Sequence, residues 1–111
     1  MHRLVLYRYL LELSSILLAV LFYLYIISGY ALVKTSTVEK YTLGLIGYRE
    51  AAFLHLSPIT RLLLVISATI HAIAGFSLLV QRFKRTRKIL EPLVIVLFTL
   101  LLIYILLIEF S

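Results

Sequence analysis

Three long apolar segments, separated by polar connections, dominate the hydrophobic pattern of this chain. They cover residues 13–33, 62–81 and 92–108, and none of them contains a formally charged side chain. At 1.5 Å per residue, helices of about 17 to 21 residues extend for about 26 to 32 Å, which matches the hydrocarbon layer of a bilayer. The pattern predicts an all-α membrane protein with one domain, residues 1–111. Its three transmembrane helices are expected at about residues 12–33, 58–81 and 91–109.

The connections between these segments differ in character. Residues 34–58 mix apolar and charged side chains, as in a short amphipathic or irregular external segment at the headgroup level. Within this loop, Ser36-Thr37-Val38-Glu39 has the spacing of a capping box, which predicts a helix start there. Ser57-Pro58 predicts the start of the second long helix, because serine caps helices and proline is tolerated at their first position. Residues 82–88 contain five cations, and Glu91-Pro92 is expected to open the third helix.

Composition excludes several classes of protein. The chain is 63% hydrophobic and its mean hydropathy is +1.10, which excludes a water-soluble globule. The absence of cysteine excludes disulfides and any thiolate metal site or iron–sulfur cluster held by this chain. A cleaved signal peptide is the competing interpretation of the first segment, since Gly29-Tyr30-Ala31 has a small-x-small pattern. We favour a retained helix because the apolar run is long for a signal sequence.

The positive charges indicate a membrane surface and an orientation. The net charge is +6, but the basic residues lie at the ends of apolar runs. Anionic lipid or an acidic protein partner therefore explains them better than nucleic acid. Residues 1–12 and 82–88 hold seven cations, whereas residues 34–61 hold four. The positive-inside rule predicts a multi-pass protein of the cytoplasmic membrane, with its N-terminus in the cytoplasm and its C-terminus outside.

His71, near the middle of the second segment, is the main candidate for chemistry. An imidazole in lipid is costly unless it faces a bundle interior, a partner or a cofactor. Ser67 and Ala68 lie one turn before it, and Ala74 and Gly75 lie one turn after it. Such small residues leave room for a flat ligand, but they also suit close packing of two helices. Spacing alone therefore does not separate a ligand-binding histidine from a structural one.

Haem is the cofactor that best fits a histidine at this depth, because neutral imidazole binds haem iron axially and a bundle interior suits the porphyrin. A low-spin electron-transfer haem needs two axial ligands. His55 lies sixteen residues before His71, about 24 Å away even on one continuous helix. His2 lies in the N-terminal lead. The second ligand is therefore expected from another chain.

A family resemblance adds to this interpretation. Three spans and a second span that carries His71-x-x-x-Gly75 resemble the small membrane-anchor subunits of succinate dehydrogenase and fumarate reductase, in particular the hydrophobic anchor of the two-anchor type. In that family a flavoprotein oxidises succinate, an iron–sulfur subunit passes the electrons to quinone at the cytoplasmic face, and two anchors each give one histidine to a haem b. The resemblance implies that His71 ligates the haem iron and that Ser67, Ala68 and Gly75 face the haem.

The resemblance is weaker at the quinone site. Arg82-Phe83 occupies the positions where the family anchor often has an acid–tyrosine pair, and a phenyl ring cannot hydrogen-bond a quinone carbonyl. Arg82 is a candidate to bond the quinone headgroup, and its alternative role is that of a lipid-facing anchor at the end of a span. Ser14, beside Glu12 at the cytoplasmic end of the first span, is a candidate because it lies at the depth where a quinone head would enter. For Ser14 the other interpretation is a hydroxyl that bonds back to its own helix. His55 is either a surface histidine or a ligand for a second haem, since some members carry two.

The function that the resemblance implies, and our leading hypothesis, is that of a non-catalytic, haem b-binding membrane anchor of a succinate:quinone oxidoreductase in the respiratory chain and the tricarboxylic acid cycle. The alternative is a haem-free structural or accessory subunit of another respiratory or transport complex. An ion-coupled transporter is disfavoured because no Asp or Glu lies deep in a predicted span.

Overall fold

The fold is entirely helical over residues 2–111, the part of the chain that the computed structural model describes. Within that range, three stretches are long and apolar enough to cross a membrane: His2–Val33, Pro58–Arg82 and Arg87–Glu109. The prediction of an all-α membrane protein with three such helices is confirmed. The helices are α1 (His2–Val33), α2 (Thr35–Tyr41), α3 (Tyr48–Leu56), α4 (Pro58–Leu79) and α5 (Arg87–Glu109), and a 3-10 turn, Val80–Arg82, follows α4.

Two helix starts can be compared with the sequence. Helix α1 already begins at His2, so the basic and aromatic lead before residue 12 is helical and continues directly into the first apolar segment. Helix α4 begins at Pro58, as predicted, and the amide of Ile59 donates to Ser57 Oγ at 3.3 Å. Serine thus accepts from one of the unpaired amides at the start of α4, where proline has no amide that needs a partner.

Helix α5 begins earlier than expected. It starts at Arg87, and Pro92 therefore lies inside the helix instead of opening it. The ring of Pro92 removes one amide, which would have bonded the carbonyl of Lys88. The loss falls close to the N-terminus of a long helix, so α5 continues through it.

The connection between α1 and α4 contains the two short helices α2 and α3. The predicted capping box is wrong, because α2 begins at Thr35 and Ser36 is already inside it. A single residue, Lys34, joins α1 to α2, and the Thr35 hydroxyl donates to the carbonyl of Ala31 at 2.6 Å. Gly44, at φ +83°, forms part of the left-handed turn after α2, a conformation that favours glycine.

The chain falls into two compact units, one formed by residues 2–17 and 65–111 and the other by Leu18–Leu64. In each unit the buried residues are mainly small. Small side chains allow close approach of helix backbones, which is how helices associate in lipid. Large apolar side chains are largely exposed, and no residue of α5 is buried. This is expected where lipid or a partner helix replaces water. In the first unit the buried residues are Tyr7, Ser14, Ser67, Ala74, Ser77 and Val80; in the second they are Ser28, Ala31 and Ala51.

A polar cluster connects three elements of the first unit, and we name it the Glu91 cluster. The carboxylate of Glu91 accepts hydrogen bonds from Arg3 Nε at 3.0 Å, Tyr7 OH at 3.1 Å and Gln81 Nε2 at 2.6 Å. Gln81 also donates to the carbonyl of Ser77 at 3.0 Å. These contacts hold together α1, the 3-10 turn and α5. They also place the start of α1 at the same end of this unit as the basic connection before α5.

Replacing Glu91 by alanine should destabilise the chain, because three donors would lose their common acceptor. An unsatisfied buried partner costs about 1–3 kcal/mol, and we expect a loss of that size for Glu91→Ala. Thermal unfolding followed by circular dichroism in detergent micelles measures it. The matched control is Glu12→Ala, which removes an exposed carboxylate from α1 and should change stability by less than about 0.5 kcal/mol. Equal losses in the two variants would contradict the assignment.

Candidate histidine sites

The imidazole of His71 is held against α1 by two adjacent serines of the first unit. His71 Nδ1 lies 3.1 Å from Ser14 Oγ and 3.4 Å from Ser15 Oγ. Ser14 is almost fully buried and His71 is half-buried. The histidine therefore has the polar partner that an ionisable side chain needs inside a membrane helix.

The hydrogen bonds around this contact indicate which ring nitrogen carries the proton. Both serine hydroxyls lie within donor distance of the carbonyl of Leu11, Ser14 at 3.2 Å and Ser15 at 2.7 Å. When each hydroxyl gives its single proton to Leu11, its oxygen remains an acceptor, and His71 Nδ1–H donates to it. The opposite tautomer would leave Nε2–H without an acceptor among residues 2–111, and unpaired donors are rarely tolerated. The network favours Nδ1–H and leaves the Nε2 lone pair without a hydrogen bond.

Next to the imidazole lies an open cavity, the His71 cavity, which has a volume of about 280 Å³. The residues that line this cavity lie on one face of α4. Beside the histidine they include two small residues and one aromatic ring. The ring of Phe76 also stacks on Phe98 of α5, with centroids 5.4 Å apart. The residues that line the cavity are His71, Ala72, Gly75, Phe76 and Leu79.

The residues expected to face a haem divide between two environments. Gly75 lines the His71 cavity together with the histidine. Ser67 is buried at 3% exposure, and Ala68 is exposed; neither belongs to the lining of that cavity. The structure thus brings His71 and Gly75 together and leaves Ser67 in the packed interior of the first unit.

The two residues expected near a quinone also lie in different environments. Ser14 donates to Leu11, so the back-bonding interpretation of its hydroxyl is confirmed, and it also contacts His71. Arg82 is exposed at the end of the 3-10 turn. A cavity of about 580 Å³, the Arg8 cavity, adjoins this turn through Gln81. Polar groups of Arg8, Glu12 and Gln81 line it together with apolar side chains and an aromatic ring: Leu4, Val5, Tyr9 and Leu78.

The second unit contains a histidine with a similar arrangement. His55 Nδ1 lies 3.0 Å from the carbonyl of Tyr25 and 3.2 Å from Ser28 Oγ. A carbonyl oxygen only accepts, so Nδ1 must carry the proton in this contact. The imidazole stacks on the ring of Tyr25, with centroids 4.0 Å apart and an interplanar angle of 24°. It also lies against Gly29, where a Cβ would come within 3.0 Å of His55 Cε1. His55 is therefore half-buried and bonded, not a loose surface histidine.

Each histidine can supply one nitrogen ligand to a metal. Metal-binding histidines usually donate their other ring N–H to a neighbouring group, which fixes the orientation of the ring. Both imidazoles meet this condition through Nδ1. Residues 2–111 contain no group of three or more His, Cys, Asp or Glu side chains placed to hold a metal ion. Additional ligands for either histidine would have to come from a cofactor or another chain.

Sequence reasoning missed the pairing of each histidine with α1 and the Glu91 cluster. A signal for the first was present, because Ser14-Ser15 and Ser28-Gly29 interrupt an otherwise apolar segment, and polar groups in lipid must be satisfied within the protein. The sequence pattern places Gln81 and Glu91 at the ends of spans and does not indicate their contact. Comparison of the chain with known protein families, with curated proteins and with solved structures finds no match.

We expect the Nδ1–H tautomer of His71 to predominate in the purified chain at neutral pH, because Ser14 and Ser15 accept that proton. Nitrogen-15 NMR of histidine-labelled protein distinguishes the protonated ring nitrogen from the bare one. One hydrogen bond is worth about 1 kcal/mol, so replacing both serines by alanine should lower the tautomer ratio about fivefold. Ser28→Ala serves as the control and should leave the His71 signals unchanged. A predominant Nε2–H form in the unaltered chain would refute the prediction.

Gly29→Ala should be less stable than Gly75→Ala by at least about 1 kcal/mol. Both changes raise helix propensity equally. At Gly29 the new methyl would lie 3.0 Å from His55 Cε1, whereas at Gly75 its nearest neighbour is Leu11 Cδ1 at 3.5 Å, an ordinary contact. Thermal unfolding of the two variants in the same detergent gives the comparison. If Gly29→Ala proved the more stable variant, the close contact with His55 would be wrong.

Proposed function

We propose that this chain is a membrane-anchor, haem b-binding subunit of a succinate:quinone oxidoreductase. The observation that carries the proposal is the position of His71, whose Nδ1 lies 3.1 Å from Ser14 Oγ and 3.4 Å from Ser15 Oγ. In the tautomer that this network favours, the Nε2 lone pair is available to a ligand. This is the preparation that an axial haem ligand needs. The three apolar helices and the position of His71-x-x-x-Gly75 on the second of them support the family resemblance.

In this proposal His71 is the haem iron ligand, and Gly75 offers an adjoining surface without a side chain. A bound haem b supplies one-electron redox chemistry. The chain's own contribution is orientation, because the hydrogen bond to Ser14 fixes the rotation of the imidazole and its tautomer. Ser67 supports the packing of α4, and Ala68 lies on its exposed surface.

The shape of the His71 cavity fits a shared site better than one enclosed by this chain. Its volume of about 280 Å³ falls just below the range of roughly 300–1,000 Å³ for ligand pockets. A second membrane anchor would supply the other wall and a further ligand to the iron. The exposed apolar surface of α5 gives that partner a face to pack against.

Arg82 and the Arg8 cavity are the features proposed to lie near the quinone. The Ser14 hydroxyl already bonds Leu11 and His71, so it has less to offer a quinone than Arg82 has. The Arg8 cavity combines donors from Arg8 and Gln81 with apolar walls, which suits a ring that has polar carbonyls and a lipid tail.

The proposed orientation places the N-terminus and the basic connection in the cytoplasm, where the iron–sulfur subunit and the flavoprotein would dock, and the C-terminus outside the cytoplasmic membrane. The Glu91 cluster supports this arrangement, because it brings Arg3 to the same end of the first unit as the basic connection. The cations of residues 1–12 and 82–88 then act together in the positive-inside rule.

A haem-free structural subunit of another respiratory or transport complex is the alternative function. Two observations favour it. The imidazole already has polar partners in Ser14 and Ser15, and the cavity beside it is small. In that case His71 would stabilise the contact between α1 and α4 and would bind nothing.

The deciding experiment is a reduced-minus-oxidised spectrum of membranes in which the chain is co-expressed with its genomic neighbours. We expect a b-type band that His71→Ala abolishes and His55→Ala retains, at equal levels of a tagged chain. His71→Met should keep a low-spin haem with a higher potential, since thioether ligation raises the potential. Ser14→Ala should weaken haem retention by about tenfold or more, as loss of a second-shell partner does.

The same measurement identifies the alternative. A complex that assembles with normal amounts of the chain but shows no b-type band would leave only the structural function. A band that persists in His71→Ala at full intensity would refute the ligand assignment. The chain purified alone should retain haem poorly, because half of the ligand set is missing.

A further inference from the structure

A third cavity lies at the polar end of the first unit, beside Glu91. It has no part in the function proposed above. This Arg87 cavity has a volume of about 300 Å³, and cations from two distant parts of the sequence meet around it. Arg3 comes from the first turn of α1, whereas Arg87 and Lys88 come from the first turn of α5. The residues that line it are Arg3, Arg87, Lys88, Glu91 and Pro92.

The charges around the Arg87 cavity do not balance. Three cations face one carboxylate, and the Glu91 carboxylate already accepts hydrogen bonds from Arg3, Tyr7 and Gln81. Arg87 and Lys88 are exposed and have no ion pair with any residue from 2 to 111. Two positive charges therefore remain in excess beside a concave surface, and a small anion is the complement that such a surface lacks.

The position of Arg87 and Lys88 is unfavourable for α5 itself. The N-terminus of a helix carries a partial positive charge, so cations in its first turn are destabilising. No acidic residue occupies that turn, and Thr86 makes no side-chain cap. The two cations thus do not serve the helix, and an anion between them would remove the conflict.

The surroundings favour an anion that has acyl chains. Pro92 lines the cavity, and Val96 and Leu100 follow it at four-residue spacing, along one side of α5. Both are more than half exposed, at 53% and 59%. A cationic cavity is thus followed along α5 by an exposed apolar stripe. A phospholipid has the same arrangement, in which a charged phosphate is followed by apolar acyl chains.

We propose that the Arg87 cavity binds the headgroup phosphate of an anionic phospholipid at this end of the membrane domain. Arg87 and Lys88 hold the phosphate, Arg3 contributes from α1 while it remains paired with Glu91, and the stripe of Val96 and Leu100 receives an acyl chain. The site lies apart from the His71 cavity within the same unit and does not depend on haem binding. Free phosphate offers the same headgroup chemistry without the chains.

The test is titration of the detergent-purified full chain with phosphatidylglycerol, with phosphatidylcholine as the zwitterionic reference, followed by native mass spectrometry. Each cation near an anionic headgroup contributes about 1 kcal/mol. The double variant Arg87→Gln, Lys88→Gln should therefore bind phosphatidylglycerol about 30-fold more weakly, which corresponds to about 2 kcal/mol. Arg87→Lys keeps the charge and should retain most of the binding.

Lys84→Gln with Arg85→Gln is the matched control, because it removes two charges from the same connection without altering the cavity lining. It should weaken binding by less than about threefold, as expected for exposed charges that only attract anions at a distance. Equal weakening in both double variants would overturn the site in favour of general attraction to the membrane. Inorganic phosphate at millimolar concentration should not displace the lipid; if it did, a phosphate site without acyl-chain recognition would replace the proposal.

Discussion

The contact between His71 and Ser14 is the interaction on which the functional interpretation depends. Lipid offers no hydrogen bonds, so each polar group in a membrane helix must find its partner within the protein or a ligand. In the tautomer that the surrounding hydrogen bonds favour, Ser14 accepts the proton of Nδ1, and Nε2 has only a lone pair. An unpaired acceptor is tolerated more readily than an unpaired donor, and it is the form of imidazole that binds a metal. In the proposed function, the same hydrogen bond that satisfies the imidazole within the membrane would also orient it as a ligand.

Two groups of polar side chains in the first unit lie at different levels and have different tasks. At one level His71, Ser14 and Ser15 form a small, locally satisfied group beside the His71 cavity. At the other, Glu91 joins α1, the 3-10 turn and α5 through charged and neutral donors. The second level uses a carboxylate near the polar end of the helices, where desolvation is less costly than at the centre. The cations that remain unpaired there are available to groups outside the chain.

Sequence reasoning reached the long elements and the chemical candidate, but not the contacts between them. Apolar length is sufficient to predict helices in lipid, and an uncharged run with one histidine is sufficient to select His71. The expected start of α5 at Glu91-Pro92 is wrong because proline is tolerated within the first turns of a helix as well as at its opening, and α5 begins at Arg87. The capping box at Ser36 failed because α2 follows α1 after a single residue. The bonds from Ser14 to His71 and from Tyr25 to His55 join residues far apart in sequence, and local patterns do not encode the rotation of one helix against another.

The two histidines differ in a way that bears on their tasks. His55 donates to a main-chain carbonyl, which only accepts, so its tautomer is fixed and its ring is stacked on Tyr25. His71 donates to hydroxyls, and a hydroxyl can rotate to give its proton to the imidazole instead of to Leu11. If a hydroxyl gave its proton to Nδ1 instead, Nε2 would carry the ring proton and could not bind a metal. A ligand role for His71 therefore depends on the carbonyl of Leu11 holding the hydroxyl protons, whereas the carbonyl of Tyr25 fixes the tautomer of His55. This asymmetry follows from the partner atoms alone, because a main-chain carbonyl permits one tautomer and hydroxyls permit two.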